Sequence, residues 1–155
     1  LGFMFNGCMG MFDPRPGRPD SIAPGKSRFT SMCPSVFFED QKPRLVLGAP
    51  GGTQIVMGVL QVVLNSLDHG MDIYRAIASP RISATSEIID LTNRIPRSTE
   101  ARLKEMGYQT SFNPFNYTMG WVHAIEVSNN SSEGFADPGR DGVSYSTNHK
   151  QGYTT

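Results

Sequence analysis

Hydrophobic residues recur along this chain at two different spacings, which predict both helices and strands. The longest helical pattern covers residues 53–67, where no charge interrupts the apolar positions Val56, Val59, Leu60, Val63 and Leu67. Further apolar residues cover the other sides of this segment, so we expect its helix to be buried nearly all round. His69 and Gly70 supply a stop signal at its C-terminal end.

Two shorter helices carry recognisable start and stop residues. Asp72 is suited to be the N-cap of a helix that runs through Ala78 and ends before a proline. Ser98 is the expected N-cap of a third helix, which runs to Met106 and stops at Gly107.

Apolar runs bounded by Gly, Pro and Asn predict the strands. We expect strands at residues 1–6, 30–38, 44–47, 87–91, 108–112 and 120–127. Residues 39–42 are polar and separate the second strand from the third, so these two strands are expected to form a hairpin. A second polar turn is expected at residues 128–132. Strands and helices in this mixture are typical of an α+β fold.

Two segments lack either pattern. Residues 13–27 are rich in Pro and Gly, and Pro14, Pro16, Pro19 and Pro24 rule out regular structure, so we expect a loop there. Residues 144–155 are polar and are expected to fray. At 155 residues with 38% hydrophobic content, the chain is long enough for one domain, which we expect to span residues 1–155.

Charge and cysteine content exclude several classes of partner. Fourteen basic and fourteen acidic residues cancel and are scattered, which argues against nucleic-acid binding. Cys8 and Cys33 lack the spacing and the neighbouring histidines of a metal site, so we expect none. No apolar run reaches the ~20 residues of a membrane span. Because the chain opens with Leu1 inside a strand-like run, we interpret it as a piece of a longer protein.

The segment from Leu45 to Val56 places two glycines between an apolar strand and an apolar helix. Gly51 and Gly52 permit positive φ, and the following helix directs free N–H groups at this glycine turn. Such a turn binds negative oxygen from a phosphate, a carboxylate or the oxyanion of an attacked amide, or it is a tight connection without a ligand. No GxGxxG and no Lys-Ser/Thr pair is present, so we expect no nucleotide cofactor.

Other polar residues have simpler interpretations. Hydroxyls such as those of Thr30 and Ser31 commonly bond to local backbone, although together with an anion-binding turn they are suited to hold a carboxylate. His69 and His123 have no Ser or Cys partner in a catalytic motif and are interpreted as structural. Residues 137–142 have the composition of a turn, with an Arg–Asp pair inside it as the second interpretation.

Several segments, taken in order, resemble the small catalytic subunit of gamma-glutamyltranspeptidases, which are N-terminal-nucleophile hydrolases. The unusual elements are Thr30-Ser31-Met32-Cys33-Pro34-Ser35 and Pro50-Gly51-Gly52. Further matches lie at residues 2–6, 24–26, 59–65, 78–81 and 136–138. These segments match the family in the same order over nearly the whole chain, which identifies the family more specifically than any one of the motifs does.

The resemblance implies part of a four-layer αββα sandwich, shared by a large and a small subunit that arise by self-cleavage of one precursor. It implies an acyltransferase or hydrolase of glutathione metabolism, periplasmic or extracellular, whose nucleophilic threonine lies outside this chain. Gly51 and Gly52 match the oxyanion hole. Thr30 and Ser31 match the hydroxyl pair that binds the α-carboxylate of the γ-glutamyl group, with Thr30 where serine is usual. The implied partners are the large subunit and a small-molecule amide, and this chain alone is expected to be inactive.

Cys8 and Met11 depart from the family pattern. They replace the residues that hold the α-ammonium of the γ-glutamyl group, and neither side chain offers a counter-charge. Because an unpaired buried ammonium costs on the order of several kcal/mol, we expect an altered acyl group, such as a dicarboxylic acyl amide of the kind handled by the related cephalosporin acylases. A non-catalytic relative or binding module that keeps the fold, and a phosphate-binding α/β domain, are the alternatives.

Overall fold

The structure, a computed structural model, describes residues 2–148. It divides the chain into two compact units, Leu1–Ser31 and Met32–Thr155. The strands and α-helices of the described residues all belong to the second unit. They are β1 (Ser35–Glu39), β2 (Lys42–Gly48), α1 (Ile55–Val63), α2 (Ile73–Ala78), β3 (Ile82–Ser83), β4 (Ile88–Thr92), α3 (Arg97–Glu105), β5 (Gln109–Asn113), β6 (His123–Val127), β7 (Ser131–Phe135) and β8 (Ser146–Asn148). This mixture confirms the α+β class.

Five antiparallel strands form the larger sheet, in the order β1-β2-β6-β7-β8. β1 and β2 form the predicted hairpin. Their connecting loop consists of Asp40 and Gln41, whose φ angles are 48° and 64°. Two successive positive φ angles are what a type I′ turn requires, and its twist matches that of the strands it joins. The second strand of this hairpin runs directly into the glycine turn.

The hydrophobic core lies on one face of this sheet, where α1 contacts β2 and α2 contacts β6 and β7. Because successive strand residues point to opposite faces, alternate residues of β2 enter the core. The buried apolar residues are Leu45, Leu47, Ile55, Val59, Val62, Ile73, Ala76, Ile77, Val122 and Ala124. Packing between β2 and α1 therefore holds both arms of the glycine turn.

The helix predicted at residues 53–67 is confirmed as one helical run, made of a 3₁₀ turn (Gly52–Gln54), α1 and a π turn (Leu64–Asp68). The prediction that it is buried nearly all round is wrong. Val56, Leu60 and Leu64 follow one another at four-residue spacing and are 48%, 45% and 38% exposed. Apolar spacing could not reveal this, because apolar residues on an exposed helix face have the same sequence signature as core residues.

α2 begins at the predicted cap, since the Asp72 carboxylate accepts a hydrogen bond of 2.9 Å from the N–H of Arg75. For α3 the predicted cap is wrong. The N-cap is Pro96, and Ser98 lies inside the first helical turn without a capping bond. The ring of Pro96 fixes its φ at −59°, and its carbonyl accepts hydrogen bonds from the N–H groups of Thr99 and Glu100 at 3.0 and 3.2 Å, which start the helix.

The predicted stop of α3 at Gly107 is confirmed. Gly107 has a φ of 91°, and its N–H donates to the carbonyl of Lys104 at 2.9 Å. The N–H of Tyr108 donates to the carbonyl of Leu103 at 3.1 Å, which completes a Schellman motif. α3 connects β4 to β5, which pair in parallel, and β3 adds antiparallel to β4 in this smaller sheet.

Three predicted strands differ from the structure. Residues 2–6 form no strand, because no other strand among the described residues pairs with them. The strand predicted at 30–38 begins only at Ser35, directly after Pro34, which has no N–H to donate to a ladder. The strand predicted at 120–127 begins at His123, since Gly120 has a φ of 80°. The strands predicted at 44–47, 87–91 and 108–112 are confirmed within one or two residues.

The loop predicted at 13–27 is confirmed to contain no helix or strand, although an isolated bridge joins Asp13 to Ser21. The frayed tail predicted from residue 144 is wrong for residues 146–148, which form β8 against β7. β8 is polar, so no hydrophobic pattern marked it. Residues 149–155 lie outside the described part of the chain. The turn predicted at 128–132 is shorter, because β7 already begins at Ser131.

Candidate active site

The glycine turn joins the end of β2 to the helical run that contains α1. β2 ends at Gly48, and the 3₁₀ turn begins at Gly52. Gly51 has a φ of 146° and Gly52 has a φ of 60°, a region that residues with a Cβ rarely adopt. The backbone conformation therefore favours glycine at both positions.

A second constraint on Gly51 is the close approach of another backbone segment. A Cβ on Gly51 would lie 2.8 Å from the Cα of Gly120, which is closer than real Cβ contacts. A Cβ on Gly120 would lie 3.0 Å from the carbonyl oxygen of Gln54. The N–H of Trp121 also donates to the carbonyl of Pro50 at 3.1 Å. The segment around Gly120 thus packs directly on the turn.

The N–H groups of Gly51 and Gly52 are available to a ligand. Within residues 2–148, neither group donates a hydrogen bond to a protein acceptor. A Cβ on Gly52 would meet nothing within 4 Å, so there is open space beside that residue. The dipole of the helical run that follows adds positive potential at this end. Two adjacent free donors beside open space are suited to hold a negative oxygen.

An ion pair that the sequence analysis missed lies in the same unit. Arg81 Nη2 and Asp137 Oδ2 are 2.8 Å apart, and the side chains are 4% and 0% exposed. Both residues stand in segments that carried the family resemblance, which was the available signal, but nothing in their spacing indicated that they meet. Residues 137–142 were interpreted as a turn, with an Arg–Asp pair inside the turn as the second interpretation, and neither interpretation links Asp137 to Arg81.

The turn at residues 137–142 is confirmed by a hydrogen bond from the N–H of Arg140 to the carbonyl of Asp137 at 3.1 Å. The Arg–Asp pair that was the second interpretation of this turn does not form among the described residues. The Arg140 guanidinium instead lies over the Trp121 ring, 4.0 Å from its centroid. Asp137 pairs with a residue 56 positions away because its carboxylate points into the core.

The remaining predicted site residues belong to the unit Leu1–Ser31. Cys8 and Met11 begin and end its 3₁₀ turn, and both are half-buried. Arg28 Nη2 donates to Cys8 Sγ at 3.0 Å, a contact that no motif indicates. Thr30 is exposed and Ser31 is half-buried, and both lie outside helices and strands.

Across the part of the chain that the structure describes, no three His, Cys, Asp or Glu side chains are grouped so as to hold a metal ion. None of the helices in that part has the length and apolar character that crossing a membrane requires.

Comparison with known proteins identifies the family. The profile of the gamma-glutamyltranspeptidase family matches residues 1–147. The glutathione hydrolase proenzyme of Bacillus subtilis is 31% identical over 153 residues, which cover 97% of this chain and 26% of that protein. The acylase ACY 1 proenzyme of a Pseudomonas species is 36% identical over 113 residues, covering 73% of this chain and 20% of that protein.

Solved structures agree with the sequence comparison. The gamma-glutamyltranspeptidase of Pseudomonas nitroreducens, complexed with L-DON, superposes with a TM-score of 0.81 at 30% identity, covering 92% of this chain and 80% of that one. The chain spans about a quarter of the length of the curated relatives that it matches, 26% and 20% for the two described. The match over residues 1–147 confirms the resemblance read from the motifs: the chain belongs to the gamma-glutamyltranspeptidase family.

Proposed function

We propose that the complete protein containing this chain is an amide hydrolase and acyltransferase that works through an acyl-enzyme. Its nucleophile would be a threonine outside these residues. The threonine hydroxyl adds to the amide carbonyl carbon and gives up its proton to the threonine's own free α-amine. The tetrahedral oxyanion then collapses, the amine leaves with a proton, and water or an acceptor amine resolves the resulting ester.

The glycine turn is the single feature that most supports this proposal. Gly51 and Gly52 present two adjacent N–H groups that donate to no acceptor within residues 2–148. The negative charge of an attacked amide develops on its oxygen, and preorganised donors aimed at that oxygen stabilise the transition state. Each such donor typically contributes about 10²–10³-fold in rate. We therefore assign the two glycines as the oxyanion hole.

Thr30 and Ser31 are proposed to bind a carboxylate on the acyl group of the substrate. Each hydroxyl donates one hydrogen bond, and bonds to an ionised acceptor are stronger than those between neutral groups. Neither residue lies in a helix or strand, and Thr30 is exposed, which leaves it accessible to a small molecule.

The acyl group is proposed to lack the α-ammonium of a γ-glutamyl group. Cys8 and Met11 offer no counter-charge to a cation. The Arg28 guanidinium, which donates to Cys8 Sγ at 3.0 Å, adds a positive charge beside the position that would have to receive that ammonium. Two like charges within a few ångströms repel each other. A dicarboxylic acyl group such as glutaryl keeps a carboxylate and avoids this repulsion.

A large subunit cut from the same precursor is the proposed protein partner. Two exposed apolar surfaces of residues 32–148 support this. One is the α1 surface of Val56, Leu60 and Leu64 described above. The other is the sheet face opposite the core, where Val36 and Ile125 flank Val46 and are 50% and 46% exposed. Apolar patches of this kind commonly mark protein interfaces.

A partitioning experiment tests the covalent route. Two amides with the same glutaryl group but different leaving amines are given to the assembled protein with a fixed concentration of hydroxylamine. A shared acyl-enzyme predicts the same ratio of hydroxamate to free acid from both amides, whatever their individual rates. A ratio that changes with the leaving amine contradicts an acyl-enzyme, because no common intermediate would then be partitioning.

A further inference from the structure

We propose that Arg81 is a positioning residue for the glycine turn: together with Asp137 it fixes the peptide of Gly120, which in turn fixes Gly51. This inference rests on the proposed oxyanion hole, since it explains what holds one of its two donors in place. Arg81 itself is not placed against the substrate.

The Arg81 guanidinium makes three directed contacts from a buried position. Nη1 donates to the carbonyl of Gly120 at 2.6 Å, and Nη2 donates to Asp137 Oδ2 at 2.8 Å. Nη2 also donates to the carbonyl of Ile77 in α2. A planar guanidinium sets the directions of its bonds together, so the Gly120 carbonyl is tied both to the end of α2 and to Asp137.

Asp137 is itself held by backbone donors. Its Oδ2 accepts from the N–H of Val122 at 3.1 Å, and its Oδ1 accepts from the N–H of Gly139 at 2.8 Å. Val122 lies only two residues after Gly120. The segment 120–122 is therefore fixed at both ends by one ion pair, through a carbonyl at the first residue and an N–H at the last.

The fixed segment touches the turn and α1 without intervening side chains. A Cβ on Gly51 would lie 2.8 Å from the Gly120 Cα, and a Cβ on Gly58 would lie 2.9 Å from the carbonyl oxygen of Met119. There is no room for a Cβ between these backbone segments, so a shift of Gly120 towards the turn brings the two backbones into contact, and a shift away leaves the turn unsupported. The position of Gly51 thus depends on the Arg81–Gly120 bond.

Stability alone does not explain why this site holds an ion pair. Burying two charges carries a large desolvation penalty, and well-packed apolar residues often stabilise such a site as well or better. Arg81 Nε is buried and has no hydrogen-bond partner within residues 2–148, so the pair is not even fully satisfied. Charged groups that form directed hydrogen bonds fix the position of the Gly120 carbonyl. Apolar side chains cannot do this.

The test uses the assembled two-subunit protein with paired substitutions. Arg81→Met with Asp137→Asn removes both charges together. The single asparagine carbonyl oxygen can still accept from one of the two backbone N–H groups, that of Val122 or that of Gly139, which donate to different oxygens of Asp137. Arg81→Lys is the more conservative variant, since lysine keeps the positive charge but lacks the planar guanidinium group. The control replaces the exposed pair Arg44 and Glu39, 2.8 Å apart, by Met and Gln.

Two measurements are made on each variant: kcat and KM with a glutaryl anilide, and hydrogen–deuterium exchange of peptides spanning residues 48–55 and 97–105. Because an oxyanion hole acts in the transition state, we expect kcat to fall about 10–100-fold with KM within about twofold. Exchange should quicken at 48–55 and stay unchanged at 97–105. Arg81→Lys should lie between wild type and the double variant, and the control should match wild type.

Two results would contradict the positioning role of Arg81. A folded double variant with wild-type kcat and wild-type exchange at residues 48–55 overturns the positioning role. Equal acceleration of exchange in both peptides overturns it too, because it reveals general loosening. If the double variant does not fold, Arg81→Lys decides by the same two readouts. A wild-type protein that releases aniline from neither a glutaryl nor a γ-glutamyl anilide refutes the proposed oxyanion hole, whereas exchange at 48–55 still decides whether Arg81 positions the turn.

Discussion

Arg81 and Asp137 form a buried ion pair across 56 positions of sequence, with Nη2 and Oδ2 2.8 Å apart. The pair joins the residue that follows α2 and Pro80 to the turn that follows β7. A buried charge that loses its partner keeps its desolvation penalty without the attraction that offset it. The pair therefore makes the fold sensitive to single substitutions at either residue.

Asp137→Ala should lower the free energy of unfolding by about 3–5 kcal/mol, the usual cost of leaving one buried charge unpaired. Urea denaturation followed by circular dichroism measures it. Arg44→Ala, which breaks the exposed pair with Glu39, is the matched control and should cost about 1 kcal/mol or less. Equal losses in the two variants would show that burial of the Arg81–Asp137 pair has no energetic consequence.

Gly51 and Gly52 should respond differently to alanine. Gly51→Ala places a Cβ 2.8 Å from the Gly120 Cα at a φ of 146°, so we expect a severe loss of stability. Gly52→Ala meets no atom within 4 Å and only bears the strain of a φ of 60°, about 1–2 kcal/mol. Thermal melting of both variants shows which of the two is less stable. A Gly52 variant less stable than the Gly51 variant would contradict the packing of Gly120 on the turn.

Restoring carboxylates near the proposed acyl pocket should change substrate preference. We expect Cys8→Glu with Met11→Asp to raise kcat/KM for a γ-glutamyl anilide, relative to a glutaryl anilide, by about tenfold or more. The reason is that an ammonium gains charged acceptors. Cys33→Ser is the control, because that cysteine has no role in the proposed pocket. An unchanged ratio would remove Cys8 and Met11 from substrate recognition.

The Asp13 carboxylate should titrate far below its usual range. Hydrogen bonds and charge from Arg15 lower the pKa of Asp13 from 3.8 to about 2. Because the folded pKa is depressed, the stabilising contribution is complete above about 3.9, the unfolded value, and is lost as pH falls through the folded pKa. NMR titration of Asp13 checks this: Arg15→Ala should raise the pKa towards 3.8 without reaching it, because the backbone N–H of residue 15 still donates to Oδ1, whereas Arg18→Ala should leave it low.

Local patterns in the sequence predicted much of this fold. The β1–β2 hairpin, the helical run at 53–67 and the stops at Ala78 and Gly107 each follow from residues a few positions apart. The glycine turn was predicted for the same reason, because strand, glycines and helix are consecutive. Its backbone geometry agrees with that prediction, while its role as an oxyanion hole stays a prediction.

What the sequence could not reveal depends on long-range contacts. The Arg81–Asp137 pair and the packing of Gly120 on Gly51 join segments that no short motif links. β8 escaped prediction because it is polar and is held only by pairing with β7. The exposed side of α1 was mistaken for core, because the spacing of apolar residues does not show which of them another part of the fold covers.

The steady-state comparison of a glutaryl anilide with a γ-glutamyl anilide, using the assembled two-subunit protein, tests the proposed function most directly. We expect release of the aniline with kcat/KM higher for the glutaryl compound by about tenfold or more, the factor set by one unfavourable charge contact. A higher kcat/KM for the γ-glutamyl compound would contradict the altered acyl pocket at Cys8 and Met11. Release of aniline from neither compound would contradict the amide hydrolase itself.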